Sequence, residues 1–426
     1  MRRLAALALI LAFLALPAGA AVPGVHAAPA ADLAVQDQPP AVRFPDGITF
    51  RAFIQSSAPV AEAILHYQIR PDSPPTYVRA SLEGSSAEHV LEGNAPPRIY
   101  LWPGATVEYW WEVRDTAGAV QETPRSTVVY QDTRFQWQRA TANGLEVWYY
   151  GNAAATAEQF LQIGAQTMEE IGRGLLEAVP DFPVKVFVYA SREDMLPALQ
   201  RRGETYESQV ITLGVRVSSD TVLVLNQGGA DDTLRHELTH VLTKVAGVGV
   251  FGDLPAWLDE GTAVYAQREL DGYYGDALRD AVRRNTALSL ASMNVPPGDP
   301  AKVGLFYGQA GDVVRYLVEE EPDGRAKFRA LFAALKDGRS VNEALEETYG
   351  FDLLELEARW REDVGLPPRG AANGGEETAG RPGQTGDAGG SAIDDTAVLA
   401  GGIIALSVLA AGGILGGTLY LTRRRI

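Results

Sequence analysis

The sequence predicts a chain of several domains: an all-β module, an α+β domain after it, a polar stalk and one transmembrane helix. Three observations carry this. Residues 40–133 alternate apolar and polar side chains over short runs split by turn formers, residues 135–366 mix strand-like and helix-like periods, and residues 397–422 run on without a charge. With 426 residues, 46% hydrophobic and 21% charged, the chain has material for a sizeable core. Its 37 Lys and Arg face 54 Asp and Glu, a formal net charge of −17, which opposes nucleic acid and anionic lipid headgroups as partners. Cysteine is absent, so disulfides, thiolate metal clusters and cysteine nucleophiles are excluded. Any bound metal needs nitrogen and oxygen ligands.

Residues 1–28 read as a secretory signal. Arg2 and Arg3 precede an apolar run over 4–16, then come Pro17 and the small Ala18, Gly19 and Ala20; the run is short for a membrane anchor, the alternative reading. In 40–133, "AILHYQI" alternates Leu65, Tyr67 and Ile69 with His66 and Gln68, and "VEYWWEV" alternates Val107, Tyr109, Trp111 and Val113 with Glu108, Trp110 and Glu112. Turn formers such as "PDSPP" and "DTAG" separate such runs, giving a small sandwich that resembles immunoglobulin and fibronectin type III modules. No chemistry is visible in it, and His66 and His89 read as surface residues. From 135 onward, "GLEVWYYG", "VKVFVYAS" and "DTVLVLN" read as strands. Residues 153–178 carry Phe160, Ile163, Ile171 and Leu175 at helical spacing, and helical stretches dominate from 231 to about 364. Residues 367–395 are Gly-rich, polar and almost free of large apolar side chains, so they cannot offset their ordering entropy and form a flexible stalk. The uncharged run 397–422 suffices to cross about 30 Å of hydrocarbon, and Arg423, Arg424 and Arg425 follow it. Signal and span together predict a single-pass protein of the cell membrane, with its folded part outside the cytoplasm and its C-terminus inside. Gly412 and Gly416, like Gly413 and Gly417, have the spacing that lets two spans approach as a weak homodimer.

The chemistry is concentrated in "RHELTHVL", Arg235 to Leu242. A helix is expected to start after Gly228 and Gly229, capped by Asp231 or Asp232. At about 100° per residue His240 falls near 40° from His236 and Glu237 near 100°, while Leu234, Leu238, Val241, Leu242 and Val245 gather on the opposite side. That stripe is expected to face the core, leaving the imidazole face to line a cleft. Residues four apart sit about 5–6 Å apart at Cβ, close enough for two imidazoles to share one Zn²⁺ at about 2.0–2.1 Å. Glu237 beside them can take a proton from attacking water. A solvated helix face matching this spelling by accident is the alternative, and scarce histidine argues against it.

A catalytic zinc needs a third protein ligand and an open position. No histidine remains outside the N-terminal 133 residues except His236 and His240, so a carboxylate is required. In "LPAWLDEGTAVYAQ", Pro255 suits a first helical turn and Glu260 is the preferred ligand; the neighbouring Asp259 is the competitor, or else a helix N-terminal charge or a partner of a ligand.

The "HELTH" helix followed by "WLDEGTAVY" resembles the gluzincin branch of the zincin metallopeptidases, the peptidase MA group that includes thermolysin-like enzymes and zinc aminopeptidases. The likeness runs over about 135–364, where "FYGQAGDVVRYLVEE" and "LEARWRE" are weaker signals. It implies a zincin-like domain, one catalytic Zn²⁺ held by His236, His240 and Glu260, Glu237 as general base, and peptide or protein substrates. It further implies that "DTVLVLN" is a sheet-edge strand pairing with extended substrate, beside the plain alternative of a structural strand. Oxyanion stabilisation needs a donor, and Tyr307 in "LFYGQAG" is the candidate, with Tyr265 and Tyr316 as rivals and an ordinary core aromatic as the alternative. Two departures are noted: Val264 stands where thermolysin-like members keep a carboxylate four residues after the ligand Glu, and no motif for binding a free amino terminus is present. The expected activity is metal-dependent peptide hydrolysis. The alternative is a surface protein whose zincin fold only binds or adheres.

Overall fold

A computed structural model describes residues 32–93, 99–200, 210–249, 253–268, 272–369 and 406–410. The expected signal lies outside these residues, as does the stalk from 370 onward.

The N-terminal region is built of β1 (Ala34–Arg43), β2 (Gly47–Gln55), β3 (Val60–Arg70), β4 (Thr76–Arg79), β5 (Ser81–Glu83), β6 (Ser86–Glu92), β7 (Ala105–Asp115), β8 (Val120–Glu122) and β9 (Ser126–Tyr130). One antiparallel sheet has the order β1-β2-β6-β5; the other runs β4-β3-β7-β8, with β9 also on β7. The alternation read in β7 is real: Val107, Tyr109, Trp111 and Val113 are buried while Glu108, Trp110 and Glu112 face outward. Tyr109 and Trp111 donate to Asp37 at 2.6 and 3.1 Å, which ties the second sheet to β1. His66 and His89 are half-buried rather than plain surface residues. His66 stacks on Trp110 with ring centroids 4.9 Å apart and lies 3.2 Å from Glu112, because a cross-strand pair brings these side chains together.

A mixed sheet follows, made of β10 (Gln138–Ala142), β11 (Leu145–Tyr149), β12 (Val184–Tyr189), β13 (Val210–Arg216), β14 (Thr221–Leu225) and β15 (Leu406–Ala410), in the order β10-β11-β12-β14-β13-β15. β11, β12 and β14 are parallel; the pairs β10–β11, β13–β14 and β13–β15 are antiparallel. One expectation fails here. The strand "DTVLVLN" is β14 and lies inside the sheet, not at its edge. β13, whose Leu213 and Val215 alternate with polar or small neighbours, lies outside it and was not read from the sequence. Of the expected transmembrane segment 397–422 only β15 is described, as a strand paired with β13, and the rest of that segment lies outside the described residues. Among the described residues no helix is long and apolar enough to cross a membrane.

The helices are α1 (Ala154–Thr167, continued by a π-helical stretch Met168–Leu176), α2 (Ala230–Gly247), α3 (Ala256–Tyr265), α4 (Tyr273–Arg284), α5 (Val303–Arg315), α6 (Gly324–Lys336), α7 (Val341–Tyr349) and α8 (Leu353–Asp363). They pack on one face of the mixed sheet. Val184, Val186 and Val188 of β12 and Val222 and Val224 of β14 point into their core, as do Phe160, Ile163, Ile171 and Leu175 of the first helix.

The opposite face belongs to the other core. Phe187, Tyr189, Leu213, Val215, Leu223 and Leu225 join Leu101, Trp102 and Tyr130 of the N-terminal region in one cluster. The period of two along β12 thus serves two neighbours at once. Tyr189 donates to the fully buried Asp132 at 3.1 Å, and Arg134 binds the same carboxylate at 2.7 Å, closing the junction with polar groups. Phe187 sits between Trp148, stacked at 5.8 Å, and Trp137, edge-on at 5.3 Å. Phe187→Ala is therefore expected to destabilise the protein by about 3–5 kcal/mol. Calorimetry should show both regions melting together at a lower temperature; an unshifted mixed domain would contradict the shared core.

Candidate metal centre

The metal-helix candidate α2 starts after Gly229, which takes φ +83° and makes the N-cap. Neither aspartate caps it through a side chain: Asp231 accepts from Gln159 and Asp232 from the Arg268 backbone N–H, while both lend negative charge to the first turn. Leu234, Leu238, Val241 and Leu242 enter the helical core as the spacing predicts, while Val245 of the same stripe is only half-buried. The polar face, expected to be open, is closed over as well, and His236, Glu237 and His240 are fully buried. β13 crosses it at a place where only glycine fits: a Cβ on Gly214 would stand 2.5 Å from Thr233 Cγ2 and 2.9 Å from Glu237 Cγ. Two residues on, the Arg216 backbone N–H donates to Glu237 Oε2 at 2.8 Å and orients that carboxylate.

Glu260 arrives on α3, whose Trp257 and Leu258 are buried in the same core. Its Oε2 lies 3.3 Å from His236 Nε2 and 3.4 Å from His240 Nε2. The three ligand atoms fall within 4.8 Å of one another. Two ligands about 2.05 Å from one zinc at a tetrahedral angle stand about 3.3 Å apart, so the separations of Glu260 from the two imidazoles fit the ion. All three atoms are buried without a hydrogen-bond partner, an arrangement that costs free energy unless a cation fills it.

Asp259 does not compete for the ion. Its Oδ1 lies 3.1 Å from His240 Nδ1, on the far side of the ring, and accepts from Thr243 at 2.5 Å. From there it can fix the orientation of the His240 ring from behind. Adjacent carboxylates leave the choice to the rotation of α3, which a sequence does not display.

The charges are strongly coupled. Burial works against a protonated His240, but the carboxylates of Asp259 and Glu260 outweigh it and hold the ring up at about 10 without a cation. Burial would raise Asp259, yet His240, Arg216 and Thr243 bring it down to about 2. Burial likewise opposes a charged Glu260, and the two imidazoles keep it below the usual carboxylate range. A metal must therefore displace the His240 proton at any pH below that raised value. Zinc affinity is expected to rise about tenfold per unit between about pH 6 and pH 9, with about one proton released. Titration calorimetry in buffers of different ionisation enthalpy reads that proton, and a pH-independent affinity would contradict the assignment.

Of the three candidate tyrosines, the site receives Tyr307. Its ring, 3% exposed, lies 6.1 Å from that of His236. Tyr265 donates instead to Glu319 at 2.9 Å and Tyr316 to Glu321 at 2.7 Å.

No curated protein matches the chain. Among solved structures, yeast LTA4 hydrolase is similar over 78% of this chain and 67% of its own, at 12% identity and a TM-score of 0.39. An M1 zinc metallopeptidase from Deinococcus radiodurans is similar over 79% of this chain and 94% of its own, at 12% identity and a TM-score of 0.34. A β-1,3-glucan binding domain of carbohydrate-binding module family 56 covers 22% of this chain with 98% of its own, at 18% identity and a TM-score of 0.17. The family model of the Peptidase MA superfamily matches residues 174–365, slightly under half of the chain. That stretch, which holds both the "HELTH" helix and Glu260, is similar to the Peptidase MA superfamily.

Proposed function

We propose that the chain is a zinc-dependent peptidase, held outside the cytoplasm by a C-terminal membrane tether, that hydrolyses peptide bonds with Glu237 as general base. One observation supports it above the others: three buried ligand atoms converge within 4.8 Å of one another, Glu260 at 3.3 and 3.4 Å from the two imidazoles, beside an anchored carboxylate. His236, His240 and Glu260 would hold the ion, with Asp259 and Thr243 steadying His240. Zinc, when bound, would act as a Lewis acid toward the scissile carbonyl and lower the pKa of a nearby water. Glu237 takes the proton as that water attacks and later delivers it to the leaving amine. Tyr307 donates to the oxyanion that develops. The tether, the extracytoplasmic placement, the immunoglobulin-like character of the N-terminal sandwich and weak pairing of two spans rest on the sequence alone.

The test is digestion of an unbiased peptide library by the soluble part of the chain, with and without a chelator. Cleavage that stops with the chelator and returns with zinc supports the proposal. Zinc binding without any cleavage sinks it and leaves a binding protein built on the same fold.

A further inference from the structure

We infer that Tyr274, at the start of α4, is a positioning residue for Tyr307, holding its phenol beside His236. The inference rests on the peptidase reading above and extends it to a residue outside both ligand motifs. The Tyr274 and Tyr307 rings stack with centroids 5.3 Å apart and planes inclined by 22°. The Tyr307 ring also contacts His236 at 6.1 Å and meets Phe306 edge-on at 5.5 Å. A tyrosine places its hydroxyl through two side-chain torsions, and a ring held by three rings has both fixed.

The backbone is shaped to permit this stack. α4 can rest on α5 because α5 is bare where they touch: a Cβ on Gly308 would lie 2.3 Å from the Tyr274 carbonyl oxygen, and one on Gly304 would lie 2.5 Å from the Tyr273 ring. Gly308 follows Tyr307 directly, so the same close approach that seats α4 brings the Tyr274 ring onto Tyr307. An oxyanion donor works only when its hydroxyl waits where charge will develop. Displacement of a catalytic group by about 1 Å costs on the order of 10²-fold in rate.

The best-cleaved peptide of the library serves as substrate, and a phosphinic peptide of the same sequence as the tetrahedral mimic. Tyr274→Leu is expected to lower kcat between about tenfold and 10²-fold, with KM little changed. Binding of the phosphinic peptide should weaken in step, while zinc affinity measured against a chelating dye stays put. Tyr274→Phe, which keeps the ring, should restore most of kcat. In a Tyr307→Phe background Tyr274→Leu should cost nothing further, since its effect passes through the Tyr307 hydroxyl. An undiminished loss in that background, or lost zinc affinity, would mark Tyr274 as a structural residue and overturn the inference. So would a Tyr274→Leu protein with unchanged kcat while Glu237→Gln is inactive, which leaves the peptidase reading intact. Full hydrolysis by Glu237→Gln would instead remove the reading itself.

Discussion

Glu237→Gln is expected to lower peptide hydrolysis by about 10²–10⁴-fold, the usual contribution of a positioned general base, while zinc content stays unchanged. The substitution is close to isosteric, and the amide oxygen can still accept the Arg216 backbone N–H that Glu237 Oε2 now receives at 2.8 Å. The helix, both imidazoles and Glu260 therefore keep their places, and only the ability to take a proton is lost. Circular dichroism and bound zinc should match the parent. Retained hydrolysis with retained zinc would show that another group moves the proton.

A larger effect on metal is expected at Glu260. Glu260→Ala removes one of three converging ligands and should weaken zinc binding well beyond the roughly 10–100-fold that losing a partner of a ligand costs. Asp259→Asn falls within that smaller range, because an amide oxygen can still face His240 Nδ1. Excess zinc is then expected to rescue Asp259→Asn and leave Glu260→Ala inactive. Without Glu260 one of the two carboxylates that raise His240 is gone, so its pKa moves down and less proton competition remains. Competition with a chelating dye measures both affinities, and equal losses in the two variants would contradict the division of roles between neighbours.

How much of this was legible in the sequence depended on distance along the chain. His236, Glu237 and His240 share one helix, where a fixed rotation per residue settles their relation before any folding. Glu260 could be named because no third histidine follows the N-terminal 133 residues and helix periodicity placed it on a separate element. The strand β13 was missed because its alternation is short and broken by Gly214, and that glycine is there for Glu237, a partner 23 positions away. Burial of the imidazole face was missed for the same reason. Asp259 and Glu260 were both plausible, since only the roll of α3 against α2 decides which reaches the ion. Tyr307 stood among three tyrosines, and its selection depends on α5 packing beside α2, a contact between distant segments. β12 was read as a strand, but its pattern of residues suited to two opposite cores looks, locally, like any fully covered strand.

The sheet face shared with the N-terminal sandwich has a practical consequence. A fragment trimmed to begin near residue 135 would lay bare a plate of Phe187, Tyr189, Leu223 and Leu225 beside Leu213 and Val215. Wetting such a plate invites face-to-face stacking of copies, so expression of that half alone would yield inclusion bodies in place of a smaller working protein.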